Sequence, residues 1–407
     1  MNTINHPTQS SGLLIKSVKP IGFVQTPMVS PAGTLDILIG ADGQVKQAAA
    51  EIAAAPGLRE INGQGRWISP GWTDLHTHIW YGGTDISIKP ETCGLARGVT
   101  TLVDAGSAGE ATFHGMRELI IEKANEDIFA FLNLGSIGLV ACNRVSELTD
   151  LSSVNIDRIV ATVEANRDLI VGLKVRASGT ITRGWDIAPV KLAKKLGKVL
   201  KLPLMVHVGE PLPLYDDVLR TLGEGDIITH CFNGKVGGSI MEDEDLYQLV
   251  EESRDRGIIL DVGHGGASFS FDVAKAALSN RLLPHTISTD IHNRSMSRSV
   301  WDMPTTMSKL LSLGMSHEEV IVASSVTPRK AINRPYNDLL KPGVRANFTL
   351  YELNDSDLVV QDSKGIPSAL TQVFDPVFAV LGSNAWDAQR YQPETAHQGC
   401  PNCGCAR

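Results

Sequence analysis

Two histidines one residue apart close the run Trp72-Thr73-Asp74-Leu75-His76-Thr77-His78. Along a strand, side chains at i and i+2 face the same way, so His76 and His78 project together. Two neutral imidazoles converging on one point suit a divalent cation. The pair alone is a weak signal, because a polar strand end held by hydrogen bonds reads the same way. Further side chains add weight: Lys174, His207, His230 and Asp290, each at or near the end of a later apolar run. Four histidines and one carboxylate can bind two divalent ions, but such a pair needs a bridging ligand. An ammonium is a poor one. Burial depresses a lysine pKa, and the neutral amine of Lys174 can capture carbon dioxide as a carbamate, which offers one oxygen to each ion. Two ions ~3.5–4 Å apart share a hydroxide formed near neutral pH. Asp290 would take the proton of that water and deliver it to the leaving group. These parts together hydrolyse an amide or an ester. The bland readings are an ordinary ion-paired Lys174, satisfied core histidines at 207 and 230, and a helix N-cap at Asp290.

Bringing six such side chains to one place is a demand on the fold. Strands are expected over 72–78, 101–104, 129–134, 169–175, 204–207, 227–230, 258–261 and 286–290, with amphipathic segments such as 189–200 and 242–256 between them. Eight buried-strand signals with helical crossovers predict an α/β fold, a (β/α)8 TIM barrel over 69–335. In such barrels the chemistry sits at the C-terminal strand ends, where the six side chains fall. A helix over 316–332 should begin with Ser316 as N-cap and Glu319 at its third position. Outside the barrel, 13–18, 35–39, 343–351 and 358–360 read as strands, and Asp42-Gly43 marks a hairpin. Residues 11–68 and 336–385 are therefore expected to form one small flanking β-sandwich built from both chain ends, with 386–407 a C-terminal tail.

Other rim residues are candidates for substrate contact. His264 follows the seventh expected strand on a glycine-rich loop, and a plain loop histidine is the competing reading. Arg176 lies on the same face as Lys174 and suits either an anionic substrate group or a structural carboxylate; Arg144 has the same two readings. Trp80 and Tyr81, just beyond His78, suit an apolar or aromatic part of the substrate. Gly234, Gly237 and Gly238 around Lys235 read as a flexible loop or as an anion-binding one. At the far end, Cys400, Cys403 and Cys405 with His397 could complete a zinc site, or simply belong to the tail.

Bulk properties narrow the class. The chain has 407 residues, 43% hydrophobic and 20% charged, ample for a large core. A net charge of −8 without a basic cluster argues against nucleic acid and anionic membrane partners. No apolar run approaches the roughly 20 residues that span a bilayer, and the run 12–16 is too short for a signal peptide. The expected location is the cytoplasm, with Cys93, Cys142 and Cys231 as reduced thiols. The expected partner is a small-molecule substrate; a homo-oligomer is left open.

The motifs 70–78, 172–176, 207–210, 230–234 and 288–292 together resemble the amidohydrolase superfamily, most closely its amidohydrolase/deacetylase branch, often described as dihydroorotase-like. The resemblance spans nearly the whole chain. It implies a β-sandwich beside a barrel and two zinc ions bridged by a carboxylated lysine. The implied ligands are His76, His78, Lys174, His207, His230 and Asp290, with Asp290 also the acid/base. The implied activity is hydrolysis of an amide or ester bond in a small acylated compound, as in a deacetylase. An alternative is a purine or pyrimidine deaminase, because His207-Val208-Gly209-Glu210 matches the His-x-x-Glu of that group. Lys174 argues against it, since a single-ion site has no use for a bridging carbamate. A dihydroorotase-type cyclic amide hydrolase should carry an arginine near strand one, and 79–83 contain none. A noncatalytic barrel is the reading outside enzymology, and the complete ligand set speaks against it.

Overall fold

The computed structural model describes residues 12–142, 144–148 and 151–392. His397 and the three terminal cysteines lie outside the described residues.

Five short strands open the chain: β1 (Gly12–Pro20), β2 (Leu35–Gly40), β3 (Val45–Ala49), β4 (Arg59–Asn62) and β5 (Trp67–Pro70). Seven more follow with helices between them: β6 (Trp72–Thr77), β7 (Val99–Ala105), β8 (Asp127–Asn133), β9 (Ile170–Ala177), β10 (Leu204–Val208), β11 (Ile227–Thr229) and β12 (Ile259–Asp261). These seven form one parallel sheet whose spatial order equals the chain order. Every residue of β6, β7 and β9 is buried, the pattern of strands covered on both faces. Polar residues are admitted where they are bonded: Asp104 accepts from the backbone of Ile79 and Ser107.

The eighth expected strand, 286–290, makes two single bridges rather than a ladder. Thr286 bridges Asp261 on β12, and Ile291 bridges Thr77 on β6, both parallel. Its backbone is nevertheless bonded on both sides, Thr286 N to Leu260 O and Val262 N to Thr286 O on one, Asp290 N to His76 O and His78 N to Ile291 O on the other. Thr286 and Ser288 donate to Asp261, while the Thr289 amide and hydroxyl donate to Asp74 on β6. Asp290 itself has φ 48°, outside strand geometry.

Strands from the far end of the chain complete a second sheet: β13 (Asn347–Asp355), β16 (Gln372–Leu381) and β17 (Asn384–Asp387) join it in the order β17-β16-β13-β5-β1-β2-β3, with β4 beside β1. The antiparallel pairing of β13 with β5 unites the two chain ends, around Leu13, Ile15, Ile37, Ile39, Phe348 and Leu350. Three expectations are corrected here. The run 343–351 becomes a strand only from Asn347, because 343–346 bond to Gly43 and Val45 at the β2–β3 turn, with Arg345 bridging Gln44. Val359–Gln361 (β14) leaves this sheet and pairs with Pro367–Ala369 (β15) in a separate ribbon. Trp386 and Asp387, expected in the tail, lie on β17. The helix expected over 316–332 keeps its capping box but breaks at Ser325, because Pro328 has no N–H to give Ser324. Among the described residues, no helix is long and apolar enough to cross a membrane.

The two sheets meet at Gly71, the single residue between β5 and β6. A Cβ there would stand 1.8 Å from Asn347 Oδ1 and 2.2 Å from Thr100 Oγ1. Trp72 then packs its ring 5.3 Å from Tyr351, so the strand that carries His76 is anchored at its start to the second sheet.

Candidate active site

The six sequence-predicted side chains gather where the parallel strands end. Asp290 Oδ1 lies 3.3 Å from His76 Nε2 and 3.1 Å from His78 Nε2. Lys174 Nζ lies 3.3 Å from His76 Nε2, and His207 Nδ1 lies 2.8 Å from His230 Nε2. Ligand atoms of His76, His230 and Asp290 are all within 4.8 Å of one another, close enough to hold one ion.

Hydrogen bonds behind the imidazoles fix which nitrogens face inward. His76 Nδ1 is 2.8 Å from Thr229 Oγ1. The one hydroxyl proton of Thr229 goes to Asp261 Oδ2 at 2.7 Å, so the oxygen accepts from His76 Nδ1–H. His230 Nδ1 lies 2.6 Å from the carbonyl of Gly263, which can only accept. Nε2 of both rings therefore carries a bare lone pair. His78 Nδ1 is held by Ser107 Oγ at 2.8 Å. Burial pushes His76 and His207 well below the ordinary histidine range and His230 down to about 4, so all three are neutral at pH 7. Burial alone would raise Asp290, but its contacts, the hydrogen bond from His78 at 3.1 Å among them, keep the carboxyl well below its usual range. Two acceptors, His76 Nε2 and Asp290 Oδ1, thus face each other at 3.3 Å. Such a contact is repulsive unless a cation lies among the lone pairs, and a nitrogen-rich set of this kind fits a divalent metal ion.

Lys174 is fully buried on β9, with Met205 Sδ 3.3 Å from its amine. Burial lowers it to about 7, so much of it is the neutral, nucleophilic amine at physiological pH. Backbone strain collects here too: His230 has φ 75° and Asp290 φ 48°, a cost that persists only where surrounding contacts hold it.

A cavity of about 500 Å³ opens onto His78, His207 and Asp290. Six cationic side chains line it, Arg144, Arg176, Arg183, Lys235, Arg294 and Arg298, against two carboxylates, Glu210 and Asp290. Arg176 is buried, lines the cavity and is engaged by both oxygens of Glu147 at 2.7 Å. Arg144 is exposed and pairs with Asp85, which Arg294 shares. Lys235 pairs with Glu210 at 2.9 Å. Among the described residues, Arg183 and Arg298 pair with no carboxylate. Two predicted substrate contacts lie elsewhere. His264 is buried outside the cavity lining, stacked on Phe269 at 4.4 Å and bonded to Lys309. Tyr81 is 54% exposed under Lys89, and Trp80 beside it turns into the core. The chain leaves β6 in a tight turn, Tyr81 N to Ile79 O and Gly83 N to Trp80 O, that carries both rings away from the cavity.

The sequence reading did not find Thr229, Asp261 and Ser107, which set the imidazoles, or Glu147, which engages Arg176. One signal was present. Thr286 and Ser288 alternate, and both face Asp261.

No family model matches the chain. A deacetylase of Brucella anthropi is 56% identical over 385 residues, 95% of this chain and 95% of its own. A crystal structure of a dihydroorotase superposes with a TM-score of 0.91 at 55% identity, covering 94% of this chain and 100% of that one. A crystal structure of an adenine deaminase gives a TM-score of 0.84 at 29% identity, covering 92% and 99%. With strand-end histidines, lysine and aspartate on a TIM-barrel relative's fold, the chain belongs to the amidohydrolase superfamily, in the family that includes the Brucella anthropi deacetylase.

Proposed function

We propose that this protein is a metal-dependent hydrolase that removes an acyl group, acetyl above all, from a small compound bearing an anionic group. The observation that carries the reading is the cluster of bare lone pairs around Asp290 beside a cationic cavity. The name of the Brucella anthropi relative supplies the acetyl group.

His76, His78, His207, His230, Asp290 and an N-carboxylated Lys174 would hold two divalent ions, zinc by the preference of such donors. Bound there, the ions would supply Lewis acidity at the acyl carbonyl and water that ionises near neutral pH. The rest falls to the chain. Asp290 takes the proton of the attacking water and hands it to the departing oxygen or nitrogen. Ser107, Thr229 and Gly263 hold the three rings so that none rotates during turnover. Arg183 and Arg298 receive the anionic group of the substrate, and the cavity volume suits a small molecule. Segment 286–291 serves as the eighth strand that closes the barrel, with the second sheet as its flanking domain.

A deaminase would need Glu210 as a proton shuttle. Both oxygens of that carboxylate are engaged, Oε2 by the Ser178 hydroxyl at 2.5 Å and Oε1 by Lys235 at 2.9 Å, and neither bonds to His76 or Asp290. The test is a panel of N-acyl and O-acyl acids, both enantiomers, each beside its neutral amide, together with purine and pyrimidine bases, with metal-reconstituted protein and bound metal counted. Release of acetate from the acids but not the amides is expected. Ammonia released from nucleobases, or no acyl release from any compound at full metal content, would overturn the reading.

A further inference from the structure

Lys309 lies on the helix Met303–Ser312 and is wholly buried. Its Nζ is 2.9 Å from His264 Nε2 and 2.9 Å from Gln361 O, and it also bonds Ser299 O. His264 Nδ1 faces the carbonyl of Gly265, so Nδ1 carries the ring proton and Nε2 accepts. Three acceptors from three separate segments close on one nitrogen, and only an ammonium has three protons for them. Burial pulls this amine down to about 7, against the pull of Asp362 and Asp302, whose oxygens are occupied by backbone amides; unlike Lys174, it has an acceptor for each of three protons, and that geometry holds the charged form.

Each segment leads to the cavity. Gly266, Ala267 and Ser268 line it directly. Gly265 stands so close to Asp290 that a Cβ would lie 2.4 Å from Oδ2. The β14–β15 ribbon is stitched to the same loop through Ser363, whose Oγ donates to Gly265 O and accepts from the amides of Ser268 and Phe269.

We propose that Lys309 is a positioning residue: its ammonium fixes the wall 264–268 against which the non-acyl part of the substrate rests, and thereby sets which leaving groups are accepted. This rests on the hydrolase reading, but part of its test does not. Lys309→Met and Ser363→Ala are compared with wild type as full-length, metal-loaded protein. In hydrogen exchange read by mass spectrometry, which needs no substrate, Lys309→Met should speed exchange about tenfold in 264–270 and 359–369 and leave β6–β10 unchanged. In kinetics with N-acetylglycine and N-acetylphenylalanine, KM for the bulkier acid should rise about tenfold with kcat within about twofold, while N-acetylglycine keeps its KM. Ser363→Ala should move the same quantities in the same direction, and it decides the matter alone if Lys309→Met does not fold. A wild type that hydrolyses neither acid counts against the hydrolase reading, and exchange alone then judges the wall. Unchanged exchange in both segments, or an equal loss on the two acids, overturns the inference.

Discussion

Thr229 does its work through a proton it gives away. Because its hydroxyl donates to Asp261, it can only accept from His76, and this choice turns the lone pair of His76 toward Asp290. Thr229→Val keeps the shape and removes the acceptor. Metal affinity, or kcat at saturating metal, should fall about 10- to 100-fold, the range for groups that orient a ligand; a chelator competition measures the first. Lys174 makes a harder claim. Lys174→Ala should lose more than about 100-fold in kcat/KM, beyond that outer range, and regain part of it with added formate or propionate. Full activity without either would remove the bridge from the scheme. The clustered side chains were legible in the sequence because histidine, lysine and aspartate are rare at the ends of buried strands. The hydroxyls behind them were not, since serine and threonine occur at strand ends for many reasons. Arg176 shows the limit well. Its type and face allowed two roles, and the bidentate contact with Glu147, remote in sequence, could be read from neither.

At the scale of elements, sequence pattern failed where local chemistry and tertiary pairing disagree. The strand β16 contains Pro376, which speaks against a strand interior. It is accommodated because the register with β13 shifts between Leu350 and Tyr351, opposite that proline. The eighth strand differs in another way. Only Ile287 is apolar within 286–290; backbone bonds to both neighbouring strands hold the segment, and the hydroxyls of Thr286, Ser288 and Thr289 add bonds to carboxylates on β12 and β6, yet its pairing is limited to single bridges. The turn from β5 into β6 is the element on which the site depends most. Gly71→Ala drives a methyl into Asn347 and Thr100, and should cost about 1–3 kcal/mol by overpacking. Gly343 has φ 88° with nothing within 4 Å of a Cβ. Gly343→Ala should therefore cost only the conformational penalty, about 1–2 kcal/mol. Urea midpoints measure both, and only Gly71→Ala should also lower metal content, because it moves the start of the strand that ends in His76.

Across the whole molecule, the two sheets are joined through an aromatic seam. Trp72 opens β6 and packs on Tyr351 of β13; His317 bonds Tyr351 Oη at 2.8 Å and meets Trp67 of β5 edge-on at 4.9 Å. Burial lowers His317 from an ordinary 6.5 to about 4. The folded protein thus keeps this imidazole neutral over a range in which the unfolded chain binds a proton. Stability rises with pH wherever the unfolded state holds more protons. The contribution of His317 is therefore complete above about pH 6.5 and is lost as pH falls toward 4. Below about 4 both states are protonated, and the residue adds no further slope. In a calorimetric series, Tm of the wild type should fall between pH 6.5 and 4, and His317→Gln should flatten that limb. Above pH 7 the two curves should run parallel, offset by whatever the lost ring contacts contribute. Equal slopes through the acid window would mean that the seam does not respond to this proton. Because the same seam anchors β6, metal retention at His76 should weaken along the acid limb of the wild type and less so in the variant.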